Sequence, residues 1–162
     1  IAPIAALAAA GVNLGIGTDG AASNNRLDVL AELRLAALLA KGAALDATVL
    51  PAAAALEAAT LGGARALGLA ARIGSIEAGK EADLTAFDLS APETQPVFDV
   101  ISQLVYAAGR EQVSDVWVAG QPVVRKRQVL AEAESGDGPP LGATLAAWQN
   151  RSRQVLQTAG ST

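Results

Sequence analysis

The chain has 162 residues, 51% of them hydrophobic and 17% charged, with a net charge of -4. This composition supplies a packed core and excludes a disordered chain, and the acidic balance lacks the clustered basic surface that neutralises nucleic-acid phosphates. There is no cysteine and no histidine, so disulfides and thiolate sites are excluded, and a zinc or iron site built on imidazole cannot be closed from these residues alone. The longest apolar stretches are interrupted by Arg34, Lys41, Asp46 and Glu57, short of the ~20 apolar residues that a membrane span needs. The expected setting is the reducing cytoplasm, with neither nucleic acid nor membrane as partner. The opening Ile1-Ala2-Pro3 has no methionine and no charged leader, and reads as the interior of a domain.

In chain order, Ile4–Ala10 reads as the end of a helix stopped by Gly11. Val12, Leu14 and Ile16 then form a short apolar strand ending in the loop Gly17-Thr18-Asp19-Gly20. A second helix is expected from Arg26 to Lys41, with Asn25 as N-cap, Asp28 as its acidic partner and Gly42 as stop. Its apolar residues cover most of the circumference, which predicts burial on several sides. Asp46 and Pro51 open a helical stretch through Ala59, and Thr60 caps a shorter helix through Leu67 that ends at Gly68.

After Arg72 the pattern becomes β. Ile73 to Lys80 is turn-rich, Ala82–Asp88 reads as a strand, and Val113–Val118 with Val123–Arg127 reads as a hairpin whose turn is Ala119-Gly120-Gln121-Pro122. Ser135–Gly142 is a glycine- and proline-rich connection, and Thr144–Thr158 is a polar-faced terminal helix carrying Trp148.

Gly15-Ile16-Gly17-Thr18-Asp19-Gly20 fits the dinucleotide pattern G-x-G-x-x-G. A dinucleotide site starts its helix inside the glycines so that the N-terminus faces the pyrophosphate, whereas Ala21 to Asn25 intervene here. Asp19 has two readings on local grounds: a turn-forming aspartate, or a carboxylate at the C-terminal mouth of a barrel strand. Ser23, Asn24 and Asn25 suit loop shape and capping better than catalysis. Arg34, Lys41, Arg65, Arg125, Lys126 and Arg127 are expected as solvated or salt-bridged surface groups, and Trp117 and Trp148 as packing residues.

Gly17-Thr18-Asp19-Gly20-Ala21-Ala22-Ser23-Asn24-Asn25, with Leu33-Arg34-Leu35-Ala36-Ala37-Leu38-Leu39, closely resembles the last barrel strand and following helix of the 5-methylthioadenosine/S-adenosylhomocysteine deaminases of the amidohydrolase superfamily. Ala59-Thr60 to Leu67-Gly68 and the stretch Ile73 to Leu84 resemble that superfamily's return from barrel to small β-domain, and Val116 to Val123 resembles its final hairpin. The resemblance runs from Ile1 to Leu130. It implies an α/β fold: the C-terminal part of a metal-dependent hydrolase (β/α)8 TIM barrel, plus the C-terminal strands of a small composite β-sandwich domain. Residues 1–70 would be the last strand and helices of the barrel, 71–130 part of the β-domain, and 131–162 a linker and C-terminal helix.

By the same resemblance Asp19 is the catalytic, substrate-binding and metal-ligating aspartate, which takes the proton of the attacking water. The implied cofactor is one divalent metal, zinc or alternatively iron. The family's other ligands, histidines on earlier strands, are not in this sequence, so the expected partner is the N-terminal part of the same protein, with a homo-oligomer compatible. The implied reaction is deamination of an adenine-type nucleoside, the isolated residues being expected to be inactive and metal-free. The alternatives are deamination or dechlorination of another purine, pterin or triazine ring, or a non-catalytic scaffold module.

Overall fold

A computed structural model describes residues 2–130 and 141–159. Helix α1 (Ile4–Ala9) ends at Ala10, and Gly11 follows with φ 72°. Residues 12–16 then run extended without a strand partner. Ile16 N–H donates to the Ala58 carbonyl at 3.0 Å and Asn13 Nδ2 to the Gly62 carbonyl at 2.9 Å, so the segment lies against a helix. The strand expected here is therefore a single extended run, because a ladder requires a neighbouring strand and no described strand adjoins it.

Helix α2 (Val29–Ala44) starts three residues later than Arg26. Asp28, not Asn25, is the N-cap: its carboxylate accepts from Ala31 N–H at 3.1 Å, while Leu27 just before it has φ 48° and cannot be helical. The helix also runs through Gly42, since one interior glycine costs only ~1 kcal/mol, and it stops where Leu45 turns left-handed. Its burial is one-sided. Leu33, Ala37 and Ala40 are buried, while Leu35, Leu38 and Leu39 are exposed, because α3 (Ala52–Glu57) and α5 (Val100–Tyr106) cover one face only.

Thr60 is not a cap. Helix α3 continues through a π turn at Ala58–Gly62 into α4 (Gly63–Ala66), and the Thr60 hydroxyl donates back to the Leu56 carbonyl at 2.7 Å within this continuous helix. The π turn meets the extended segment at Gly62, where a Cβ would lie 2.2 Å from the Leu14 carbonyl oxygen. Only glycine permits that approach.

Strands β1 (Leu84–Phe87), β2 (Val113–Val118), β3 (Gln121–Arg125) and β4 (Gln128–Val129) form an antiparallel meander in that order. The hairpin turn is only Ala119-Gly120, both with positive φ, and Pro122 sits in β3 opposite Trp117. The register is irregular at Val116/Trp117, a place where proline's missing N–H is tolerated. Asp83 ties β1 to this turn by accepting from Ala119 N–H at 2.7 Å.

Helix α5 lies where no element is expected from the sequence; it is capped by Asp99, whose carboxylate accepts from Ser102 N–H at 2.7 Å. Val105 of α5 is buried with Leu33, Ala37, Ala40, Leu50, Ala52 and Ala55. Arg34 and Lys41 fasten this core instead of facing solvent. Arg34 Nε donates to the Val105 carbonyl at 2.9 Å and Nη2 to that of Ala108. Lys41 Nζ donates to Val49 and Leu50 carbonyls at 2.7 and 2.9 Å and stands 5.8 Å from the Tyr106 ring. Long stems let each cation reach carbonyls at the ends of neighbouring elements that helix and sheet ladders leave open.

Arg65 pairs with Glu57, Arg125 with Asp115, and Arg127 with Asp88, as surface groups do. Half-buried Trp117 lies under Arg125. Helix α6 (Leu141–Ala159) begins before Thr144 and leaves Trp148 72% exposed; Trp148 is thus no packing residue among the described contacts. Of the connection expected over Ser135–Gly142, residues 135–140 lie outside the described residues, and Leu141 and Gly142 already belong to α6.

Candidate functional site

Asp19 lies three residues beyond Ile16, at the end of the segment that the π turn holds through hydrogen bonds from Ile16 and Asn13. It is exposed and has φ 61°, a left-handed conformation that Asp and Asn adopt more readily than other non-glycine residues. Gly20 N–H donates to Asp19 Oδ1 at 2.7 Å, and the Thr18 hydroxyl donates to the Asp19 carbonyl at 3.0 Å. One carboxylate oxygen is thereby oriented by its own backbone. This is the geometry of a turn-forming aspartate with an exposed carboxylate.

Beyond Asp19 the loop closes on itself. The Gly20 carbonyl accepts from Ser23 N–H at 2.9 Å and from Asn24 N–H at 3.0 Å. Asn24 uses both ends of its amide: Oδ1 accepts from Arg26 N–H at 3.1 Å, and Nδ2 donates to Glu32 Oε1 at 2.6 Å on the first turn of α2. Arg26 pairs with buried Asp28 at 3.2 Å, and Arg110 donates to the Arg26 carbonyl at 3.3 Å. Ser23 and Asn24 therefore shape the loop as expected, whereas Asn25 has no capping bond. Asp28 is expected from sequence only as the acidic partner of an Asn25 cap, and Glu32 and Arg110 are not singled out there; the available signal for Glu32 is an acidic residue in the first turn of α2.

Two clefts flank the extended segment. One of about 290 Å³ lies between Gly15, Ile16, Gly17 and the Glu32, Leu35, Ala36, Leu39 side of α2. A larger one, about 430 Å³, opens on the other side beside Asn13, Glu57 and Arg65. The larger cleft's charges are already paired at 2.7 Å, and Asp19 lines neither cleft.

Among the described residues no three His, Cys, Asp or Glu side chains converge as a metal would require. Asp19 fits a divalent metal as a single anionic oxygen ligand. A closed zinc set needs nitrogen or sulfur partners, and this sequence contains neither histidine nor cysteine.

Residues 1–123 match the Amidohydrolase family. The chain belongs to the amidohydrolase family. A 5-methylthioadenosine/S-adenosylhomocysteine deaminase of Teredinibacter turnerae is 44% identical over 149 residues, 92% of this chain and 33% of that protein. Another, from Moorella thermoacetica, is 54% identical over 80% of this chain and 30% of that protein. The amidohydrolase fold is equally clear in three dimensions. An adenosine deaminase of Xanthomonas campestris with bound zinc superposes with a TM-score of 0.85 at 56% identity, over 96% of this chain and 34% of that one. A zinc-complexed atrazine chlorohydrolase of Arthrobacter aurescens gives a TM-score of 0.74 at 33% identity, over 80% of this chain and 29% of that one. The chain thus spans about a third of the length of its relatives, and its helices and antiparallel sheet are part of an α/β hydrolase. No helix among the described residues is long and apolar enough to cross a membrane.

Proposed function

We propose that this chain contributes the aspartate of the metal centre in a hydrolase that deaminates adenine-type nucleosides, 5-methylthioadenosine and S-adenosylhomocysteine among them. The observation that carries the reading is the placement of Asp19: exposed, three residues beyond an anchored extended segment, with Oδ1 fixed by Gly20 N–H. Identities of 44–54% to deaminases and 56% to a zinc-bound adenosine deaminase support it, against 33% for the triazine enzyme.

In this reading residues 1–70 complete a barrel, 71–130 belong to the small β-domain, and the rest of the same protein supplies the nitrogen ligands to zinc. A metal held there would supply Lewis acidity, bringing the pKa of the attacking water down toward neutral. The Asp19 carboxylate accepts that water's proton and delivers it to the leaving amine. Water adds to the amino-bearing ring carbon, the carbon–nitrogen bond breaks, and an inosine-type product and ammonia leave.

The test is ammonia release by the zinc-loaded full-length protein offered 5-methylthioadenosine, S-adenosylhomocysteine and, separately, a chlorotriazine assayed by chloride release. Turnover of the two adenine thioethers well above the triazine is expected. Preferred dechlorination, or no turnover of any ring substrate at full zinc occupancy, would overturn the assignment.

A further inference from the structure

The mechanism uses Asp19 and leaves unexplained why the loop after it is tied so closely to α2. Three hydrogen bonds, joined through the Asn24 and Gly20 backbone, link the helix to the carboxylate. Glu32 Oε1 accepts from Asn24 Nδ2 at 2.6 Å, Asn24 N–H donates to the Gly20 carbonyl at 3.0 Å, and Gly20 N–H donates to Asp19 Oδ1 at 2.7 Å. At the helix end the chain is anchored in rigid structure. Glu32 N–H bonds the Asp28 carbonyl at 3.2 Å, and the next residue, Leu33, is 1% exposed in the core. Asn24 cannot rotate away, because its Oδ1 is engaged by Arg26 N–H.

From this we infer that Glu32, acting through Asn24, is a positioning residue that fixes the direction of the Asp19 carboxylate for metal binding. The inference rests on the reading of Asp19 as a ligand. A neutral donor such as the Asn24 amide bonds a carboxylate more strongly than it bonds a neutral acceptor. Groups that orient a metal ligand from behind contribute about 10–100-fold to metal affinity. The left-handed Asp19, strained in isolation, needs such surroundings to persist.

The experiment uses the full-length protein and two readouts that do not depend on turnover: zinc affinity by competition with a chromogenic chelator, and amide exchange at Ser23 and Asn24 in the metal-free protein. Glu32→Ala removes the acceptor, so the zinc Kd should rise about 10-fold or more and both amides should exchange faster. Glu32→Gln keeps an oxygen facing Asn24 and should restore most of the affinity, a rescue that loss of general helix stability would not show. Asn24→Asp sets two carboxylates against each other at this contact and serves if the alanine variant does not fold; it too should weaken zinc. Wild-type zinc affinity in Glu32→Ala or Asn24→Asp overturns the proposal, as does equal weakening in the alanine and glutamine variants. Asp19→Asn separates the two levels. If it binds zinc as the wild type does, the ligand reading itself falls; if it loses zinc while Glu32→Ala keeps it, only the positioning role falls.

Discussion

Gly62→Ala, paired with Gly63→Ala, isolates the close approach that holds the Asp19 segment. A Cβ on Gly62 would sit 2.2 Å from the Leu14 carbonyl oxygen and 3.1 Å from that of Glu57, whereas one on Gly63 meets nothing nearer than 3.8 Å. Ordinary contact begins near 3.4 Å, so the Leu14 backbone has to retreat by about 1.2 Å. That movement breaks the Ile16–Ala58 and Asn13–Gly62 hydrogen bonds, now 3.0 and 2.9 Å long. With about 1 kcal/mol for each bond, overpacking strain of about 1–3 kcal/mol, and a partial return from alanine's helix propensity, Gly62→Ala should destabilise the segment by about 2–4 kcal/mol. Gly63→Ala should be neutral or stabilising by up to ~1 kcal/mol. Native-state amide exchange in the full-length protein, read at Ile16, reports the difference directly. Equal protection at Ile16 in the two variants would refute the reasoning, because it would mean that segment 12–16 does not rest on the π turn.

Two further outcomes follow from the core and the caps. Arg34→Met leaves the Val105 and Ala108 carbonyls without their cationic donor, and should cost about 2–3 kcal/mol in denaturant unfolding, with Arg34→Lys recovering part of it; an unchanged midpoint would show that water replaces the guanidinium without loss. Hydrogen bonds from Ser102, its side chain first and its backbone N–H second, hold the Asp99 carboxyl below its ordinary value of 3.8. A carboxyl lowered on folding stabilises above its ordinary value and loses that contribution as pH falls through the folded one, so α5 should open to amide exchange below about pH 4 in wild type, and at all pH values in Asp99→Ala.

Much of the fold was legible because its signals are local. Gly11 and Pro51 mark helix ends whatever packs on them, and the β-branched runs Val113–Val118 and Val123–Arg127 declare a hairpin. Three features were not legible, two because they depend on residues elsewhere in the sequence and one because it depends on a backbone angle. The extended run 12–16 looks like a strand until its partner proves to be a π turn some fifty residues on. Arg34 and Lys41 look like surface cations until carbonyls of other elements come within reach. Asp28 outcompetes Asn25 as cap because Leu27 takes φ 48°, which no propensity scale encodes. α5 could have been found, since Asp99 directly precedes an apolar run with helical spacing. At the site, the motif around Asp19 was visible in sequence as a resemblance, whereas the Glu32–Asn24 tie needed coordinates, because an acidic residue in a first helical turn ordinarily serves only the helix dipole.

Ammonia release from 5-methylthioadenosine by full-length Asp19→Asn, compared with wild type at measured zinc content, tests the central claim most directly. Asparagine tolerates the left-handed φ of 61° as aspartate does, so the loop keeps its shape while the anionic ligand and the proton acceptor are both removed. Turnover should drop by at least ~100-fold, the low end of general acid–base contributions, with zinc weakened or lost. Near-wild-type ammonia release at a full zinc equivalent would contradict the account and return Asp19 to a turn-forming role alone.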